Sequence, residues 1–97
     1  MSLENYKDVI PAFITPFDKD GNYSESCAKQ MIEWQISKGI GGYYFLGSNG
    51  YGPAMDRKER MQTLESLCSI VNGRVPVVAH IAAVSGKDTV EMAKHAQ

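Results

Sequence analysis

The sequence predicts an α/β fold, the N-terminal part of a (β/α)8 barrel comprising about three βα units. Two observations carry that prediction. Runs that are apolar almost throughout, as strands buried on both faces of a parallel sheet require, alternate with stretches whose apolar residues recur at helical spacing. The alternation repeats every roughly 32 residues, and eight such units come to the roughly 250 residues of a complete barrel. Three parallel strands alone form an open arc with two raw edges, so residues 1–97 read as the N-terminal fragment of one barrel domain. A self-standing three-layer α/β domain is the weaker reading.

The elements follow in order. Asp8-Val9-Ile10-Pro11-Ala12-Phe13-Ile14-Thr15 reads as the first strand, and Asp18-Lys19-Asp20-Gly21-Asn22 as a turn cluster. The first helix runs from about Ser24 to Lys38, with Cys27, Met31, Ile32 and Ile36 as its apolar stripe and Gly39 just past its end. Gly42 to Leu46 forms the second strand. Asp56 to Val71 forms the second helix, opened by Asp56 with Glu59 three residues on, in the manner of a capping box. Its buried face is expected to be Met61, Leu64, Leu67, Cys68 and Val71, and Asn72-Gly73 ends it. Val75 to Ala82 forms the third strand. Ser85 with Asp88 opens a third helix, continued by Val90, Met92, Ala93 and Ala96. The helical pattern reaches Gln97 without a stop signal, as an incomplete barrel would.

Between the second strand and the second helix lies Gly47-Ser48-Asn49-Gly50. Strand, tight polar turn and helix are how an α/β protein presents backbone N–H groups to a small anion. Gly47 and Gly50 free the backbone of Cβ atoms, so it can turn sharply and approach a ligand. Ser48 and Asn49 add donors without bulk. A small carboxylate suits such a cup better than a nucleotide. The same four residues also suit an ordinary solvated loop, and the string alone does not separate the two.

Charge and composition exclude other classes. The net charge of −1 offers no basic face for nucleic acid or an anionic membrane. No apolar run is long enough to span a bilayer, and no charged segment followed by an apolar stretch marks a secretory leader. Neither G-x-G-x-x-G nor G-x-x-x-x-G-K-[ST] is present, which removes the nucleotide-binding α/β domain. Cys27 and Cys68 have no C-x-x-C spacing and no nearby histidine set, so no metal site is expected. They read as buried, reduced thiols, and a cytoplasmic location follows from that.

Single residues are read conservatively. His80, in the third strand, reads as a hydrogen-bonded core residue, with support of a site as the minor option. His95 reads as solvated. Tyr43 and Tyr44 alternate in direction, so one of them can face a barrel interior. Trp34 reads as a packing residue, with a subunit contact as the alternative. The run Asp56-Arg57-Lys58-Glu59-Arg60 reads as a solvated helix start.

Several of these residues together resemble a known family. Thr15-Pro16-Phe17, Trp34-Gln35, Gly47-Ser48-Asn49-Gly50, Glu59-Arg60 and Val78-Ala79-His80 match, in order and spacing, the dihydrodipicolinate synthase / N-acetylneuraminate lyase family of class I aldolases. The resemblance covers about Val9 to Gln97. It implies a (β/α)8 barrel that forms a Schiff base between a lysine and the keto carbon of pyruvate or another 2-oxo acid, then makes or breaks a C–C bond. It implies no cofactor, and a homo-oligomer, either dimer or tetramer. By position, Ser48 would be a carboxylate contact and the hydroxyl of a proton relay with a tyrosine. Gly47, Asn49 and Gly50 would complete the carboxylate loop, and Thr15 would sit at the floor of the site.

Two departures narrow the resemblance. The family usually has Glu where this chain has Tyr51, and Thr or Ser where it has Asn49. The second points to a subset handling other 2-oxo acids. The family's lysine and relay tyrosine belong to later strands, so the 97-residue chain alone is expected to be inactive. The rival reading is a non-catalytic fragment or pseudoenzyme that binds a small carboxylate or a partner chain.

Overall fold

The computed structural model describes residues 9–83 and 85–97, so Asp8, the first residue of the expected first strand, lies outside them. In chain order the elements are α1 (Glu25–Ser37), β1 (Tyr43–Phe45), a 3-10 turn (Gly52–Ala54), α2 (Arg57–Val71), β2 (Val77–Ala79) and α3 (Gly86–Ala96). β1 and β2 are parallel, with Tyr43 opposite Val77, Tyr44 opposite Val78 and Phe45 opposite Ala79. Both strands are shorter than their apolar runs.

The expected first strand is reduced to a bridge between Ala12 and Tyr44. The Phe13 N–H donates to the Tyr44 carbonyl, and the Tyr44 N–H donates to the Pro11 carbonyl, each at 3.0 Å. The next rung of a parallel ladder needs the N–H of residue 11, and proline has none. The segment therefore runs beside β1 as a third, interrupted parallel strand.

Each helix start uses the residue that the sequence offers. Ser24 accepts from the Cys27 N–H at 3.3 Å, Asp56 from the Glu59 N–H at 2.8 Å and Ser85 from the Asp88 N–H at 3.3 Å. α2 ends where Asn72 (φ 50°) and Gly73 (φ 73°) turn left-handed. The chain then enters β2 with Arg74 forking onto both carboxylate oxygens of Glu33 on α1.

The core lies on one face of the strands. Tyr43 and Phe45 project into it, stacked 4.9 Å apart, with Phe13 edge-on to both. Ala28 and Ile32 of α1 and Leu64, Leu67 and Val71 of α2 close over them. Side chains of opposite parity leave by the other face, where Ala12 and Val78 are exposed and Tyr44 is half-buried.

This packing corrects several expectations. Cys27 and Cys68 are exposed, not buried. Ala28 and Leu67, the next residues on each helix, take the inward positions, and neighbours along a helix point about 100° apart. Met31, Ile36 and Met61 are only half-buried, while Val90 and Ala96 of α3 are exposed and Met92 is its buried anchor. Trp34 is 62% exposed, with the Lys38 ammonium 5.5 Å from its ring centre. His95 is not solvated: its Nε2 lies 2.7 Å from Glu65 on α2. Arg60 is not solvated either, being 3% exposed.

Candidate functional site: the turn after β1

β1 delivers the chain into a turn that only small residues can make. Leu46 adopts φ 64° at its entrance and Tyr51 φ 60° at its exit, both in the left-handed region. Between them the Gly50 N–H donates to the Gly47 carbonyl, and the Tyr51 N–H to the Ser48 carbonyl, each at 3.1 Å. A Cβ on Gly47 would stand 2.5 Å from the Tyr44 ring, and one on Gly52 1.8 Å from the Leu46 carbonyl oxygen. The glycines are therefore required by close approach.

The bonds point the turn's carbonyls inward along the chain. Among the described residues, the Ser48 and Asn49 amides donate to no carbonyl. Both side chains are exposed, and the turn borders a cavity of about 250 Å³. Gly47, Ser48, Asn49 and Gly50 share this cavity with Ala12, Phe13, Tyr44 and His80. Tyr44 is thus the member of the tyrosine pair that faces it, while Tyr43 is buried and donates to Gln35. Thr15 is not brought into the lining. It is buried nearby, 2% exposed, with an Oγ1 that has no hydrogen-bond partner among the described residues.

Beneath the turn sits Arg60. From the first turn of α2 its guanidinium donates to the His80 carbonyl at 2.8 Å and the Ala82 carbonyl at 2.7 Å, and reaches the Leu46 carbonyl at 3.5 Å. It also lies 2.8 Å from His80 Nδ1. The His80 N–H in turn donates to the Phe45 carbonyl at 3.0 Å. One cation thereby ties the ends of β1 and β2 together, and burial pushes its pKa below the usual guanidinium value. Sequence reasoning missed this residue. The signal was its phase: Arg60 stands four and seven positions before the core residues Leu64 and Leu67, on the same helix face.

Chemically, the arrangement offers unpaired amides, a hydroxyl and a carboxamide around a small opening, with His80 linking it to the buried Arg60 behind. That set suits a compact anion such as a carboxylate. Every described lysine lies in a turn, a helix or a helix cap, so none reaches the cavity from a strand. Among the described residues there is no cluster of His, Cys, Asp and Glu that could hold a metal, and no helix long and apolar enough to cross a membrane.

Comparison with known proteins identifies the family. The chain is 36% identical over 96 residues to an N-acetylneuraminate lyase of Mediterraneibacter gnavus, covering 99% of this chain and 30% of that protein. It is 40% identical over 91 residues to a 4-hydroxy-tetrahydrodipicolinate synthase of Bartonella quintana, covering 94% and 31%. The chain thus spans just under a third of these relatives. Among solved structures, a catalytic lysine mutant of the Ruminococcus gnavus sialic acid aldolase superposes with a TM-score of 0.90 at 37% identity, covering 98% of this chain and 31% of that one. YagE, an Escherichia coli K12 prophage protein of the dihydrodipicolinic acid synthase family solved with pyruvate, superposes at 0.93 with 29% identity, covering 99% and 32%. The family model described as the dihydrodipicolinate synthetase family matches residues 5–97, and the chain belongs to that family.

Proposed function

We propose that residues 1–97 are the N-terminal part of a (β/α)8 lyase or aldolase that takes pyruvate or a related 2-oxo acid and makes or breaks a C–C bond. The observation that carries this reading is the cavity at the end of β1, bounded by Gly47, Ser48, Asn49 and Gly50. Barrel enzymes place their chemistry at that end of the strands. The uncovered face bearing Ala12, Tyr44 and Val78 fits the inner wall of an arc of such a barrel. Relatives named as a lyase and a synthase, and the neighbour solved with pyruvate, support the substrate class.

In this scheme the carboxylate lies on the Ser48 and Asn49 amides, Asn49 adds its carboxamide, and Ser48 is both a carboxylate contact and the relay hydroxyl. Thr15 supports the floor from behind. A lysine amine from elsewhere in the protein attacks the keto carbon, water leaves and an imine forms. The active assembly is a dimer or tetramer, and the 97-residue chain alone is inactive.

Incubation with pyruvate and borohydride, followed by intact mass, tests this. The native protein gains the mass of one reduced pyruvate, while the 97-residue chain stays at 10.7 kDa. No adduct on the native protein would sink the Schiff-base claim, and an adduct on the 97-residue chain would sink the placement of the lysine. The absence of a described strand lysine also favours a second reading, a carboxylate-binding protein without catalysis. It predicts saturable pyruvate binding by the native protein and no adduct.

A further inference from the structure

The geometry points to Arg60 and His80 as a coupled pair in which the guanidinium fixes the His80 tautomer, so that the His80 Nε2–H serves as a side-chain donor to the 2-oxo acid in the Gly47–Gly50 cavity. This rests on the carboxylate reading of that cavity and adds a specificity residue to it.

A guanidinium has N–H groups and no acceptor. The 2.8 Å contact between Arg60 and His80 Nδ1 therefore requires a lone pair on Nδ1. That leaves the proton of the neutral imidazole on Nε2. Arg60 cannot easily release the ring. It is 3% exposed and is held by the His80 and Ala82 carbonyls at 2.8 and 2.7 Å. The ring's plane is set from the other side by Tyr44, edge-on with centroids 6.0 Å apart.

Direction comes next. His80 follows Val78 by two residues along β2, so its side chain leaves by the open face that carries Tyr44. It lines the same cavity as Ser48 and Asn49. With Nδ1 committed to Arg60, Nε2 is the one polar atom that His80 has left to offer. Among the described residues, Nε2 has no partner. With its Nδ1 lone pair facing Arg60, the ring presents Nε2–H to the cavity as a donor. Arg60 is the positioning residue and His80 is the one that touches substrate.

Nitrogen-15 spectra of the histidine side chains in the native protein, with and without pyruvate, test the pair. The expected result is a neutral, Nε2-protonated His80 whose Nε2 resonance moves as pyruvate binds. An Nδ1-protonated or doubly protonated ring would overturn the proposal. Two substitutions add an affinity readout. His80→Asn keeps an acceptor for Arg60 and loses the reach of Nε2, so pyruvate Kd rises about tenfold, as loss of a hydrogen bond to a charged group implies. His80→Gln, whose amide nitrogen falls near Nε2, stays within about threefold. Equal Kd for wild type and His80→Asn, with binding weakened by Ser48→Ala/Asn49→Ala, would refute the donor role and leave the carboxylate site standing. Absence of pyruvate binding in the wild type would refute the site itself.

Discussion

The ring of Tyr44 occupies the place where a side chain on residue 47 would begin, its Cε1 lying 2.5 Å from the Cβ that Gly47 lacks. The strand residue that faces the cavity and the first residue of the loop are thus fitted to each other. Gly47→Ala should cost about 1–3 kcal/mol through overpacking. Tyr44→Ala in the same chain should recover most of it, since the three nearest atoms in the way all belong to that ring. Urea unfolding of both single variants and the double variant measures this. A double variant no better than the sum of the singles would contradict the fit.

Gly52 is the stricter position. Its missing Cβ would meet the Leu46 carbonyl oxygen at 1.8 Å, and that oxygen is backbone. No rotamer relieves the clash, so Gly52→Ala should cost about 3 kcal/mol or more. In paired thermal scans it should lower the unfolding temperature further than Gly47→Ala. The reverse order would mean that the turn is not held as described.

Arg60→Met should be among the most damaging single changes. It strips the donors from the His80 and Ala82 carbonyls and from Nδ1 of His80. Each buried acceptor left unpaired costs about 1–3 kcal/mol. Arg60→Lys should rescue little, because an ammonium cannot span the same fork. Recovery of more than half the loss by lysine would show that charge alone, rather than geometry, holds the strand ends.

Tyr43 gives the chain an alkaline limit. Its side chain is 0% exposed, and burial pushes its pKa up to about 12 from the usual 10.0. The unfolded tyrosine releases its proton first, so the folded form binds more protons in that window. Stability is therefore fully present below pH 10 and is lost as pH rises through about 12. Tyr43→Phe should remove this decline and cost about 1 kcal/mol at neutral pH, through loss of the 2.7 Å bond to Gln35. Urea midpoints collected across that pH range compare the two proteins.

Much of the architecture was legible because it rests on local chemistry. Ser24, Asp56 and Ser85 open helices in the sequence and do so in the structure, and Asn72-Gly73 ends one in both. The Gly47–Gly50 turn was legible because glycine spacing and small polar residues encode close approach. What escaped was decided by tertiary partners. Pro11 looks harmless in an apolar run, and its missing N–H matters only once the neighbouring strand is known. Cys27 and Ala28 differ too little in hydrophobicity to fix which one faces the sheet. Arg60 was hidden in a charged run whose other members are solvent-facing, and its three carbonyl partners come from residues 14 to 22 positions away. Trp34, read as a packing residue or a subunit contact, lies open on α1.

The most direct test of the central claim follows the backbone amides of Ser48 and Asn49 by NMR while pyruvate is titrated into the native protein. These two resonances should shift saturably, with Gly47 and Gly50 beside them, and Ser48→Ala/Asn49→Ala, which keeps both amides and loses both side chains, should need more pyruvate for the same response. Saturable shifts elsewhere with these amides unmoved would contradict the assignment of this turn as the carboxylate site.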